Sequence, residues 1–259
     1  MEKIIVCIKG VPKPGTVKVD PKTHTLKRED AELILNPPDK SALEMAMRLK
    51  EIYSAEIIAI SMGPPNVIPV LKYAYALGAD KMILVSDKAF AGSDTLATSY
   101  VLASAIKKLA PFSLILMGLK SIDGETAQVA PETAAKLGIP SITNVKDIKK
   151  INKSWIVTRE TEYGEEELEI NESFIASISP NLDYIRPPSL KRLLQVKNLE
   201  PEIFTAKDLN LIPEKLGLKG SPTQVVDVFE KEITAKGLIL EGNPHELVEK
   251  LIEVIKEKL

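Results

Sequence analysis

The chain has 259 residues, 44% of them hydrophobic, with 34 basic and 36 acidic side chains and a formal charge of −2, enough for one large core or a core with a small appendage. So even a mixture of charges leaves no broad basic surface for a phosphodiester backbone, and nucleic acid is not an expected partner. One cysteine, Cys7, and two histidines, His24 and His245, exclude an intrachain disulfide and a Cys/His-rich metal site, and fit a reducing, cytoplasmic setting.

In chain order, "MEKIIVCIKG" carries too short an apolar run for a signal-peptide core, and no later run approaches the roughly 20 residues of a membrane span. A soluble chain without membrane insertion is expected. Residues 3–8, "KIIVCI", form the first short continuous apolar run, the pattern of a strand covered on both faces. Residues 16–28 alternate around an Asp-Pro turn and read as an inserted hairpin. Helical spacing follows at Ala42, Met45, Ala46, Leu49 and Tyr53, with Ser41 and Glu44 at capping-box distance. The run 56–62 is a strand. The helix of Val67, Val70, Leu71, Ala74 and Leu77 closes at Gly78, and 80–86 is the next strand. Leu96, Tyr100, Ala103, Ile106 and Leu109 mark a third helix, capped by Ser93 or Asp94, before the strand 112–117. From 155 to 178, β-branched and aromatic residues alternate with charges around Gly164, the pattern of an antiparallel meander. Beyond Pro187-Pro188 come short apolar pieces, then a final helix starting at Asn243-Pro244 with Leu247, Leu251, Val254 and Ile255 on one stripe. That stripe covers either another chain or its own domain. The expected fold is α/β, a doubly wound, mostly parallel sheet with an antiparallel edge and an extended C-terminal arm: domain 1–188, arm 189–259.

The most informative stretch is "GLKSIDGETAQVAP", 118–131, directly after a strand. Ligands of open parallel sheets bind outside the carboxyl ends of strands, where loops and helix N-termini converge. Gly118 and Gly124 permit close backbone approach, Ser121 and Thr126 offer hydroxyls, and amides opening a helix suit a phosphate. Pro131 cannot lie deep in a regular helix, so the helix starts near it or kinks there. An ordinary strand-to-helix turn capped by Asp123 is the competing reading. The stretch fits neither the dinucleotide glycine fingerprint nor the Walker pattern.

The run "SIDGETAQVAPETAAKLGIP" closely resembles the nucleotide-binding segment of electron transfer flavoprotein beta subunits, Ser-Ile-Asp-Gly-Asp-Thr-x-Gln-Val-x-Pro. The resemblance continues through "IIVCIKGVP" (4–12), "LNPPDKSALEMAMRLKE" (35–51), "AISMGPP" (59–65), "ALGADKMILVSD" (76–87), "VTRETEYGEEELEINESFIASIS" (157–179) and "RPPSLKRLLQVKN" (186–198). Departures are Glu162-Tyr163-Gly164, where the family commonly has Asp-Gly-Gly, and Glu172, near which it has a proline. The resemblance implies a Rossmann-like, adenine-nucleotide alpha-hydrolase-like fold. It places Cys7, Ile8 and Lys9, then Asn36, Pro37, Pro38 and Asp39, then Met62 and Gly63 around an adenine nucleotide. Gly118 and the run Ser121, Ile122, Asp123, Gly124, Glu125, Thr126, Ala127, Gln128 and Val129 complete the set, the run taking the phosphates.

No Ser/His/Asp, Cys/His or metal constellation is evident, so no catalytic residue is expected and redox chemistry would belong to a bound cofactor. The resemblance implies a heterodimer whose alpha subunit holds FAD and is embraced by the beta-subunit arm, with electrons passing to partner dehydrogenases. Leu190, Leu193 and Leu194 resemble the segment that docks on an acyl-CoA dehydrogenase. In housekeeping members the beta-subunit nucleotide is AMP; in electron-bifurcating members it is a second FAD reduced by NADH. The tail "LGLKGSPTQVVDVF", 216–229, resembles the bifurcating group and favours FAD. A stand-alone nucleotide-binding stress protein is the reading of another class.

Overall fold

The computed structural model describes residues 2–14, 18–19, 26–27, 32–182, 184–224, 237 and 239–256. The first apolar run forms β1 (Lys3–Cys7). An inserted ribbon follows, in which β2 (Gly10–Pro12) pairs antiparallel with β5 (Leu33–Leu35), and β3 (Lys18–Val19) with β4 (Leu26–Lys27). The expected hairpin is present in that second pairing, and its remaining residues lie outside the described ones. The chain then alternates through α1 (Pro37–Tyr53), β6 (Glu56–Met62), α2 (Ile68–Leu77), β7 (Lys81–Val85), α3 (Thr95–Lys108), β8 (Leu114–Gly118) and α4 (Val129–Leu137). It continues through β9 (Ser141–Ile151), β10 (Ser154–Thr161), β11 (Gly164–Ile170), β12 (Phe174–Ile178), α5 (Leu190–Gln195), β13 (Glu202–Phe204) and α6 (Pro244–Lys256).

Nine strands form one sheet in the order β11-β10-β9-β12-β8-β1-β6-β7-β13. The pairings from β9 to β13 are parallel, and β9-β10-β11 forms the antiparallel edge. Alternate residues of β1 face opposite layers. Ile4 and Val6 meet Ala42 and Leu49 of α1 and Leu71 of α2, whereas Ile5 and Cys7 meet Val101 and Ile106 of α3 and Ala130 of α4. Burial on both faces is why these strands read as continuous apolar runs rather than alternating ones.

Two local expectations are corrected, one is refined, and one strand had no mark in the sequence. α1 begins at Pro37, not at a Ser41 cap: two prolines preset the backbone of its first turn, Ser41 is buried inside the helix with an unpaired hydroxyl, and Glu44 is held by Arg186 and Arg48. α3 buries Ala103 and Ile106 of the expected stripe and packs Tyr100 and Leu109 against the core, whereas Leu96 is exposed and Ala97, Val101 and Ala105 complete the buried face. The piece "FIASI" is not the last turn of a meander but β12, inserted parallel between β8 and β9. β9 itself carried no apolar run, because most of its residues are only partly buried and only Ile142, Val145 and Ile148 are fully so.

The caps of α2 and α3 fall where expected, Gly78 closing the former and the Asp94 carboxylate accepting from the Ala97 amide at 3.0 Å.

Beyond Pro188 the chain has two characters. Residues 190–223 are bound to the domain: Arg192 donates to the backbone carbonyls of Tyr75 and Ala79 and stacks on the Tyr75 ring, β13 extends the sheet beside β7, and Val196, Phe204 and Leu216 are buried. α6 has no buried residue.

Candidate functional site

The strand order reverses at β1. The chain proceeds outward from β1 to β6 and β7, then returns to the other side of β1 with β8. A crevice forms outside the carboxyl ends of strands at such a switch point. Here it lies between the end of β1 at Cys7–Lys9 and the end of β8 at Gly118, with the N-terminus of α1 packed beneath.

Asp39, in the first turn of α1, joins all three. One carboxylate oxygen accepts from the Lys9 amide at 2.7 Å; the other accepts from the Gly118 amide at 3.2 Å and from Asn36 Nδ2 at 2.9 Å. Asn36 is itself buried. Its Nδ2 also donates to the Lys120 carbonyl at 3.0 Å, and its Oδ1 accepts from the Ile122 amide at 3.1 Å. Gly118 is required by this packing, since a Cβ there would sit 2.3 Å from Asp39 Oδ1 and 2.7 Å from the Pro38 carbonyl carbon. Burial pushes the Asp39 carboxyl up to about 7, against the pull of its Asn36, Lys9 and Gly118 donors and the Lys9 charge.

Past Gly118 the chain turns out to solvent. Glu125 and Ala127 take left-handed backbone angles, φ 52° and 55°, and α4 starts only at Val129, which puts Pro131 in its first turn. Among the described residues, the amides of Thr126, Ala127, Gln128, Val129 and Ala130 and the Thr126 hydroxyl make no hydrogen bond. These are exposed or half-exposed donors, apart from the buried Ala130, and they gather at a helix N-terminus beside an alternation of left- and right-handed residues. That geometry builds anion-binding concavities. Gly124 is open, with Ser121 Oγ the nearest atom to a Cβ at 3.5 Å.

Lys9 spans the crevice from β1. Its ammonium meets both Asp123 oxygens, at 2.7 and 2.8 Å, and Ser121 Oγ at 3.4 Å. Desolvation alone would raise the Asp123 carboxyl; the bond to Lys9 outweighs it and holds the group below its usual range. Cys7 and Met62 pack on the face shared with α3 and α4, and Ile8 faces the opposite layer. Burial, reinforced by the Asp39 charge, drives the Cys7 thiol well above the usual thiol range, so it is a wall and not a nucleophile. Gly63, at the end of β6, is half-exposed and donates to the Val85 carbonyl at 3.1 Å.

With this geometry in place, comparison with known proteins is direct. The family model "Electron transfer flavoprotein domain" matches residues 23–202. The chain is 39% identical to electron transfer flavoprotein subunit beta of Clostridium acetobutylicum over 98% of each chain. It is 40% identical to subunit CarD of the caffeyl-CoA reductase-Etf complex of Acetobacterium woodii, over 99% of this chain and 98% of the relative. It is 36% identical to the acryloyl-CoA reductase electron transfer subunit gamma of Anaerotignum propionicum, over the same shares. The chain belongs to the electron transfer flavoprotein beta-subunit family.

The family is flavin-associated, and the donor set described above fits the phosphate end of a nucleotide cofactor: free amides, a free hydroxyl and a nearby ammonium, with space at Gly124. A second helix N-terminus adjoins it. Thr95, at the start of α3, donates to Gln128 Oε1 at 3.4 Å and Glu132 Oε1 at 3.1 Å. The segment Gly220–Thr223 folds over the same helix end, where Ser221 Oγ accepts from the Asp94 amide at 2.8 Å and the Thr223 amide donates to Asp94 at 3.0 Å. Thr95 and Ser221 were not among the expected site residues; Thr95 was signalled only by the cap at Asp94, and Ser221 only by its place in the 216–229 tail. Residues 225–229 of the expected bifurcating-type tail lie outside the described ones.

Of the expected docking leucines, Leu190 and Leu194 are 73% and 57% exposed on α5, and Leu193 is half-buried. A cleft of about 470 Å³ on the solvent face of α3, lined among others by Tyr100, Lys107, Lys136 and Lys215, contains none of the expected site residues. Among the described residues, no group of three or more His, Cys, Asp or Glu is placed to hold a metal, and no helix is long and apolar enough to cross a membrane.

Proposed function

We propose that this chain is the beta subunit of a cytoplasmic, heterodimeric electron transfer flavoprotein that binds an adenine nucleotide, FAD in preference to AMP, at the β1/β8 switch point. The observation that carries this reading is the set of free amides from Thr126 to Ala130 at the start of α4, in the turn that follows β8, the neighbour of β1. A flavin bound there supplies hydride and single-electron chemistry. The protein's own residues do the holding. The 121–129 turn and the Thr126 hydroxyl take phosphate oxygens, Lys9 balances their charge, Cys7 and Met62 shape the wall, and the backbone near Asn36 and Gly63 borders the sugar and base.

FAD is favoured because Thr95, at the N-terminus of α3, bonds Gln128 while the Gly220–Thr223 segment packs on Asp94 beside it, so that a second helix end lies next to the first for a diphosphate. AMP needs only the first. In this reading electrons pass from NADH or an acyl-CoA-type dehydrogenase to downstream acceptors by flavin-based bifurcation. Two relatives bearing reductase names that contain a CoA thioester support a partner of that class. The apolar groups of α6 that face out, Val248, Leu251, Ile252 and Ile255, dock on an FAD-bearing alpha subunit, with 189–259 acting as the arm. Leu190, Leu193 and Leu194 meet the dehydrogenase. The test is co-expression with the partner subunit, release of cofactors and their quantification. Two FAD per heterodimer with NADH oxidation supports the reading, one FAD plus AMP replaces it with the housekeeping type, and a colourless ATP-binding homodimer rejects both.

A further inference from the structure

We propose that Asp39 is a positioning residue of this site: its carboxylate locks the ends of β1 and β8 and the Asn36 side chain into one register, aiming the amides of the following turn, without touching the ligand. The proposal rests on the nucleotide reading above and concerns how the site is held together. Both Asp39 oxygens are already engaged, Oδ2 by the Lys9 amide and Oδ1 by the Gly118 amide and Asn36, and the residue is only 5% exposed. No face of the carboxylate is left for a ligand. The register passes outward through Asn36 to Lys120 and Ile122, so that two buried side chains in the first turn of α1 fix a segment more than 80 positions away, just ahead of Gly124.

A carboxylate, rather than an amide, is required at this junction. Three donors converge on it, and an Asn would offer a single acceptor oxygen and turn an NH2 group toward the Lys9 N–H. The charge is not free, since burial raises the carboxyl to about 7. A fold that needed only a helix-entry contact would not keep so costly a group. The other charged or titratable groups facing Asp39 are the Cys7 thiol and the Lys9 ammonium, both on β1, with Asp123 reached through Lys9. Proton uptake by Asp39 removes the charge that its three donors share, so those donors should report its titration together, while burial makes the protonated form the less costly one in the folded chain.

The test uses the full-length chain, AMP as probe, calorimetric titration and amide NMR. In the wild type, the Lys9 and Gly118 amides and the Asn36 side-chain NH2 are expected to titrate together with one midpoint. Asp39→Asn is expected to remove that titration and to weaken AMP binding by about tenfold, the cost of a lost buried hydrogen bond. It should also flatten the pH dependence of the affinity, comparing variant with wild type at each pH so that the phosphate's own ionisation cancels. Unchanged AMP affinity in Asp39→Asn, or independent titration of the two amides, overturns the proposal and leaves the nucleotide reading standing. If the wild type binds neither AMP nor FAD, the nucleotide reading falls instead. The lock is then judged on the amides alone, a shared midpoint supporting it and separate behaviour sinking it. Should Asp39→Asn not fold, the wild-type titration still decides.

Discussion

Two turns meet at the end of this sheet and treat their polar groups in opposite ways. In the turn Asn36–Asp39, the side chains of both polar residues are buried and spent on protein partners. In the turn 121–129, most residues are exposed, and amide after amide has no protein partner. The first arrangement is internally matched and the second leaves its donors open, although the resemblance to the family names both as nucleotide-binding. Buried donors and acceptors that are fully matched build geometry; exposed unmatched ones at a helix N-terminus build affinity.

Substitutions should separate the two roles, and the largest effect is expected at Gly118→Ala. Its Cβ would land on Asp39 Oδ1 and on the α1 backbone, so a stability loss of about 3 kcal/mol or more is expected in denaturant titration, with AMP binding lost alongside. Asn36→Ala should cost about 2 kcal/mol, because it strands the Ile122 amide and the Lys120 carbonyl. Stability should also carry the Asp39 signature. Its folded value, about 7, lies above the ordinary 3.8, so the native state holds the proton longer than the unfolded chain and the contribution is full below the ordinary value. That contribution is lost as pH rises through the folded value, a slope across mildly acid pH that chemical denaturation should find in the wild type and not in Asp39→Asn.

In the exposed turn the pattern should invert. Thr126→Val is expected to leave the melting temperature unchanged and weaken AMP binding by about 1 kcal/mol, roughly fivefold, in calorimetry. Smallest of all, Gly124→Ala should alter stability by less than about 0.5 kcal/mol, as its Cβ meets only Ser121 Oγ at ordinary contact distance.

Much of this was legible in the chain. The apolar runs gave β1, β6, β7 and β8 nearly residue for residue, because strands covered on both faces leave an unbroken pattern. The start read at Asn243-Pro244 also holds: Asn243 Oδ1 accepts from the Glu246 amide at 3.1 Å and its Nδ2 donates to the Glu246 carboxylate at 2.7 Å, since capping is a contact between near neighbours. The strand-to-helix turn that holds Gly118, Ser121, Gly124 and Thr126 could also be placed between β8 and α4. What could not be read was anything set by distant packing. Ser41 and Glu44 have the spacing of a cap, yet Glu44 is claimed by Arg186, far along the chain. Leu96 fits the stripe of α3, yet packing leaves it 43% exposed. The insertion of "FIASI" between β8 and β9 follows from sheet order, which no local pattern records. For the same reason the bonds of Asp39 are silent in the sequence: its partners Lys9 and Gly118 are 30 and 79 positions away.

The most direct test of the central claim is an amide NMR titration of the full-length chain with AMP. The account predicts that the amides from Gly124 to Ala130 shift strongly and saturably, while the Asn36 side-chain NH2 keeps its hydrogen-bonded position. Saturable binding that leaves the 124–130 amides unmoved would place the nucleotide elsewhere and contradict the account.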